Sequence, residues 1–175
     1  MPKSVDCAHL LTAFIHKSFS ADHKEPLPHN ERLEFLGDSI LGAAINTMLY
    51  NNFDDDESAL TLYKILLVKE ETLALVAKDI GLDKMILLGN GEERMGGRQK
   101  AVILADALEA LIGYIFLECG RDQAYRFVAQ HVYTKLENLM KHPVKSYKSM
   151  VQEMIQKATK ITPEYIDTEK KKDKK

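Results

Sequence analysis

The chain has 175 residues, 45% hydrophobic and 29% charged, a balance that suits one good core with a small appendage and excludes a disordered chain. Its formal net charge of −2 carries no overall basic signature of a nucleic-acid binder. The average hides an asymmetry: residues 142–175 hold nine Lys against five Asp or Glu, so the preceding body is acidic.

Taken in order, the N-terminal MPKSVDCAHLL lacks the long apolar run of a signal peptide. His9 to Phe19 has the spacing of a helix, followed by a polar loop with Pro26 and Pro28. Asn30 is placed to cap a helix over Glu31 to Asn51, which the run Asn51 to Asp56 breaks. Ser58 to Val68 and Glu70 to Ile80 follow as helices, the second closed by Gly81. Met85 to Leu88 is short and apolar, and Gly89 to Gly97 forms a Gly-rich loop. Gln99 to Glu118 and Asp122 to Met140 complete an all-α body. Pro143 marks a boundary, beyond which Tyr147 to Ala158 has helical spacing, Pro163 to Thr168 suits a strand, and the Lys-rich end reads as solvated and disordered. Cys7 and Cys119 form no CxxC pair, which fits a reducing compartment. The most apolar stretch, 101–117, carries two acids near its middle, unlike a membrane span. The expectation is a cytoplasmic protein with no membrane partner.

The acids carry the chemistry. Glu31, Glu34 and Asp38 lie three and four residues apart, on one stripe of their helix, between apolar neighbours. In AVILADALEALIGYIFL, Asp106 and Glu109 are the only charges, and a helix this apolar is buried almost all round. Such a pair of acids usually marks a solvated face or a partner for Lys or Arg, yet no Lys or Arg lies between Ala101 and Glu118. Buried charges persist when paired or metal-bound. Gly37 and Gly42 near the first stripe, and Ala105, Ala110 and Gly113 near the second, would let the helices approach closely. Glu34, Asp38, Asp106 and Glu109 would then converge, and a divalent cation would relieve their repulsion. With oxygen ligands and no neighbouring Cys or His, Mg²⁺ suits the set, with Mn²⁺ as a substitute. Metal-activated hydrolysis of a phosphodiester needs no protein nucleophile, and no Ser/His/Asp or Cys/His arrangement competes. No small-molecule cofactor is expected.

The segment NERLEFLGDS, Asn30 to Ser39, resembles the signature of the ribonuclease III family. Phe14 to Phe19 is similar to the segment upstream of it, with Ile15 where Thr is usual. GNGEERMGGR (Gly89 to Arg98) and LADALEALIG (Leu104 to Gly113) follow in family order, and the resemblance covers about residues 8–140. It implies a helical endonuclease domain over 1–142, cutting double-stranded RNA such as ribosomal and messenger precursors. The ends would be 5′-phosphate and 3′-hydroxyl, with two-nucleotide 3′ overhangs. It also implies that Glu34, Asp38, Asp106 and Glu109 ligate metal, Asp38 and Glu109 being catalytic. Glu31 and Glu57 would form a second, RNA-proximal ring of acids, and Phe35 a knob inserted into the partner of a homodimer.

Weaker candidates stand beside these. Asp54 to Glu57 lacks the alternation of a calcium loop and reads as solvated. His16 reads as a helix-surface or hydrogen-bonding residue rather than a ligand. Arg94 and Arg98 are candidates for RNA phosphates, against the plainer alternative of exposed loop arginines. Lys145 to Asp167 resembles the first helix and strand of a double-stranded-RNA-binding domain, so 143–175 is expected to be an incomplete α/β module, with Gln152 and Glu153 on its RNA-facing helix. Two other readings compete: a family member that binds RNA without cutting it, which four retained carboxylates disfavour, and a compact ribosomal-RNA maturase, which the start of that module disfavours.

Overall fold

In the computed structural model of this chain, the residues described are 7–141 and Gln156. The chain divides into two units, Met1–Asn138 and Leu139–Lys175, and the core set out below belongs to the first. The helix, strand and RNA-facing residues expected beyond Pro143, Gln152 and Glu153 included, lie outside the described residues apart from Gln156, which is helical and exposed.

The helices are α1 (Cys7–Phe14), α2 (Lys17–Ala21), α3 (Glu31–Asn52), α4 (Glu57–Val68), α5 (Glu70–Asp79), α6 (Asn90–Arg94), α7 (Ala101–Cys119), α8 (Arg121–His131) and α9 (Leu136–Lys141). Short 3-10 turns occupy Leu82–Lys84, Gly97–Gln99 and Tyr133–Lys135. The all-α expectation holds. The β-pairing found among the described residues is an isolated parallel bridge between Ile15 and Leu87.

That bridge corrects the helix expected from His9 to Phe19. The chain leaves helical geometry at Ile15, because Leu87 N–H donates to the Phe14 carbonyl at 2.8 Å and His16 N–H donates to the Leu87 carbonyl at 3.1 Å. His16 then starts α2 as its N-cap, its Nδ1 accepting from the Ser18 N–H at 3.2 Å. Here a long-range pairing overrides a local periodicity. The Gly-rich loop likewise holds a short helix, α6, and the stretch expected as one helix from Asp122 to Met140 is split by the 3-10 turn at Tyr133–Lys135. Asn30 precedes α3 but does not cap it through its side chain. Its backbone N–H instead donates to the Ile15 carbonyl at 2.9 Å, tying the start of α3 to the end of α1.

The core is built round α7. Ile103, Leu104, Ala107, Leu108, Ala110 and Ile112 are all buried, while the face carrying Asp106 and Glu109 is half-buried, and α1, α3, α5 and α8 pack on the helix. The α3 residues facing inward are Leu33, Gly37, Leu41, Ala44, Ile45 and Leu49, an i, i+4 stripe. At the α3–α7 crossing the backbones touch. A Cβ on Gly37 would overlap the Glu109 carbonyl oxygen, and one on Gly113 would overlap the Leu33 carbonyl oxygen. Gly42, in contrast, has open space around it and takes no part in the crossing. Gly81 ends α5 at φ 76°, a conformation that glycine adopts without a steric penalty.

Candidate metal centre

The Gly37–Gly113 crossing sets the site. It brings the stretch of α3 that holds Glu34 against the turn of α7 that holds Asp106 and Glu109. One carboxylate oxygen from each of Glu34, Asp106 and Glu109 then lies within 4.8 Å of the others. All three side chains are half-buried. Asp38, the fourth acid expected here, is exposed and outside this trio. It remains near enough that its charge acts on both Glu34 and Glu109.

Burial and mutual repulsion push these carboxyls up together. Desolvation first, and then the charges of Asp38, Asp106, Glu34 and Glu70, hold Glu109 at about 8. Desolvation, then Glu34 and Glu70, raise Asp106 to about 6, with Lys17 opposing. Glu34 is also raised, by burial and then by Glu31. Three oxygen donors converging with no cationic side chain bonded to any of them among the described residues fit a hard divalent ion, which would neutralise the repulsion that now favours protons.

Beside the trio lies a cleft of about 240 Å³, lined by Glu34 and Asp106 together with Lys17, Lys100, Asn30 and His16. Glu31 faces it as well, bound to Lys17 at 2.9 Å, and that ammonium holds the Glu31 carboxyl below its ordinary range. Glu92 is likewise bound to Lys100, at 2.6 Å. His16 is buried, bonded through Nδ1 to the Ser18 hydroxyl at 2.8 Å, and burial lowers its pKa, so the ring is neutral near pH 7. The sequence left His16 open between a helix-surface and a hydrogen-bonding residue, and the buried, bonded ring is the second; it gave no sign of Glu70, Lys17, Lys100 and Asn30 as neighbours of the acids. Glu70 read only as a helix start, since its approach to α7 is a product of α5–α7 packing.

The remaining sequence candidates fall elsewhere. Glu57 is exposed on α4 and lines a separate depression with Asn46, Tyr50 and Lys64. Arg94 is exposed. Arg98 is a structural clamp: it donates to both Glu93 carboxylate oxygens, at 3.0 and 2.6 Å, and to the carbonyls of Asp83 and Ile86, at 2.7 and 2.9 Å. That geometry spends the guanidinium within the fold and fixes the loop leading into α7. Phe35 is 80% exposed and borders a groove of about 1210 Å³ lined by Pro26, Leu27, Pro28, Leu36 and Leu117. Among the described residues no helix is long and apolar enough to cross a membrane.

Known proteins resemble this chain in sequence and in fold. The family model described as Ribonuclease-III-like matches residues 7–136. Ribonuclease 3 of Treponema denticola is 41% identical over 155 residues, spanning 87% of this chain and 63% of that protein. Ribonuclease 3 of Borreliella burgdorferi is 42% identical over 159 residues, 89% of this chain and 64% of that protein. The chain thus spans just under two thirds of the length of these curated relatives. Among solved structures, a nuclease domain of ribonuclease III from Campylobacter jejuni superposes with a TM-score of 0.69 at 38% identity, covering 75% of this chain and 90% of that one. With the family model covering most of the chain and the helical fold matching a nuclease domain, this chain belongs to the ribonuclease-III-like family.

Proposed function

We propose that the chain is a Mg²⁺-dependent endoribonuclease that hydrolyses double-stranded RNA, with Mn²⁺ able to replace Mg²⁺. The observation that carries this reading is the trio Glu34, Asp106 and Glu109, whose oxygens converge within 4.8 Å where α3 crosses the largely buried α7. Glu34, Asp106 and Glu109 would hold the ion, with Asp38 completing the set from the exposed edge. The bound ion supplies Lewis acidity, which makes a water more acidic and offsets charge developing at phosphorus.

The residues prepare for that chemistry in the free protein. Near neutral pH the Glu109 carboxyl keeps its proton, because burial and four neighbouring acids hold it at about 8. Glu109 would therefore give up its carboxyl proton on taking its place in the ligand set. Glu31 is kept ionised by Lys17 at the rim of the cleft, on the side where RNA would approach. Glu57, on its separate depression of α4, would be a second acid facing the RNA beside Glu31. In the overall reaction the water oxygen forms a new bond to phosphorus, the bond from phosphorus to the 3′ oxygen breaks, and that oxygen takes a proton. The ends are then a 5′-phosphate and a 3′-hydroxyl.

The reading extends to a homodimer. Phe35 would enter an apolar pocket of a second copy, and two sites facing one duplex would cut both strands with a two-nucleotide 3′ stagger. Residues 1–142 would be the catalytic domain, and 143–175 would carry the first helix and strand of an RNA-binding module. The proposed substrates are ribosomal and messenger precursors in the cytoplasm. Incubating the chain with a perfect RNA duplex in Mg²⁺ and in EDTA, then sizing the products and labelling their ends, tests this. Staggered cuts with 5′-phosphates in Mg²⁺ alone are expected, and binding without any cut in Mg²⁺ or Mn²⁺ overturns the enzymatic reading.

A further inference from the structure

The cleft beside the carboxylate trio has features that holding a cation does not require. Asn30 is 2% exposed, and its Nδ2 is buried without a hydrogen-bond partner. A buried amide donor left unmatched costs on the order of 1–3 kcal/mol, so its persistence calls for an acceptor. Asn30 lines this cleft, whose volume of about 240 Å³ exceeds the ~30 Å³ share of a single water. Two ammonium groups, those of Lys17 and Lys100, line it too. Each is held in the free protein by a rim carboxylate, Lys17 by Glu31 at 2.9 Å and Lys100 by Glu92 at 2.6 Å.

The lysines are placed by the fold rather than left to float. Lys17 is the first residue of α2, whose start is fixed by the His16 cap, and Ser18 Oγ accepts from the Gly89 N–H at 2.9 Å. Lys100 immediately precedes α7. Its partner Glu92 is packed against Gly97, where a Cβ would lie 2.6 Å from the Glu92 side chain. Both lysine side chains stay partly exposed, at 64% and 40%, so each can exchange its carboxylate for an incoming anion. Neutral His16 adds no charge to the cleft.

We infer that this cleft is a phosphate subsite, in which Asn30 Nδ2, Lys17 and Lys100 together hold one backbone phosphate of the RNA next to the Glu34–Asp106 side of the metal centre. It rests on the reading that duplex RNA is the substrate, and it makes these three positioning residues rather than catalytic ones. Anchoring a phosphate here sets where the neighbouring bond lies relative to the acids. Phosphate contacts of this kind fix register without reading sequence.

The test uses Lys17→Met, Lys100→Met, the double variant and the double Lys→Arg variant in the full chain. Binding of a fluorescent RNA duplex is followed by anisotropy in EDTA across a NaCl series, and cleavage is followed separately in Mg²⁺. The double Met variant should bind roughly tenfold more weakly at low salt, as expected for losing a charge-assisted contact. Its plot of log affinity against log salt should be shallower by about 0.9, the value for one phosphate, so the gap to the parent narrows about 3.5-fold between about 50 and 200 mM. Because both lysines hold one phosphate, the single losses should be non-additive. The double Arg variant should restore the slope, and in Mg²⁺ the Met variants should raise KM and also lower kcat, because the anchored phosphate sets the reacting bond against the acids. An unchanged slope with additive effects, in a parent that binds and cuts the duplex, overturns the subsite alone. A parent that neither binds nor cuts duplex RNA overturns the proposed function and the subsite with it. Inorganic phosphate added at constant ionic strength separates the sources: competition that needs the lysines, with no change in the duplex slope, means the cleft takes free phosphate and overturns the backbone assignment.

Discussion

Glu109 shows what burial does to a single carboxyl. In the folded chain it holds its proton up to about 8, against an ordinary value of 4.5 in the unfolded chain. Across that window the native state binds the extra proton, so stability falls as pH rises. Asp106, raised from 3.8 to about 6, adds in the same direction. Thermal melts in EDTA should therefore give a lower Tm at pH 8.5 than at pH 5.5, and Glu109→Gln should flatten the difference. A Tm that climbs with pH over this range would contradict the burial of these groups. Mg²⁺ should reverse the loss most at the alkaline end, where it no longer competes with a proton, adding about 2.7 kcal/mol at a hundredfold excess over Kd. The same Glu109→Gln change should abolish cleavage while duplex binding persists. The loss should exceed the 10–100-fold typical of residues that only orient a ligand, and near-normal turnover in millimolar Mg²⁺ would remove Glu109 from the metal set.

At the scale of the helices, the site exists because α3 and α7 meet with no side chain between them at Gly37 and Gly113. Gly37→Ala would drive a methyl into the Glu109 carbonyl oxygen and part the helices that carry Glu34 and Glu109. Overpacking of this kind typically costs about 1–3 kcal/mol and occasionally more, and here it also separates the ligands. The expected result is a lowered Tm and a loss of the Mg²⁺-dependent rise in Tm. Gly42→Ala, on the same helix but in open space, should be neutral or stabilising by up to about 1 kcal/mol, from helix propensity. Equal destabilisation by the two substitutions would show that the crossing is not the constraint. The loop before α7 is clamped in a comparable way, Arg98 joining Glu93 to the carbonyls of Asp83 and Ile86.

For the whole molecule, Phe35 is the residue to follow. An aromatic side chain left 80% exposed contributes little to the fold of one chain. Phe35→Ala should leave the melting of the subunit close to the parent's at dilute concentration. If two copies pair about a two-fold axis, each Phe35 counts twice. An anchor worth about 2 kcal/mol per copy then weakens dimerisation by roughly a thousandfold. Sedimentation equilibrium of parent and variant reads this directly. A parent that is monomeric at micromolar concentration would remove the two-site model of cutting.

Much was legible without coordinates because it depends on local spacing. The i, i+4 register of α3, the charge-poor run of α7 with its two acids, and the small residues that allow a close crossing all follow from one-dimensional pattern and helical geometry. They identify Glu34, Asp106 and Glu109, together with the all-α class. What the pattern could not reach depends on residues far apart in the chain. The break at Ile15 needs Leu87, seventy-two positions away. The commitment of Arg98 to the loop needs Asp83 and Ile86, and the influence of Glu70 on Asp106 and Glu109 needs α5 packed on α7. Asn30 looked like a cap because its position fits one, yet tertiary packing buried its amide beside Lys17 and Lys100. Local periodicity thus determined which residues form the helices and which acids share a face. Only the packed structure decided which charges meet, because a charge acts through space on whatever the fold brings near it.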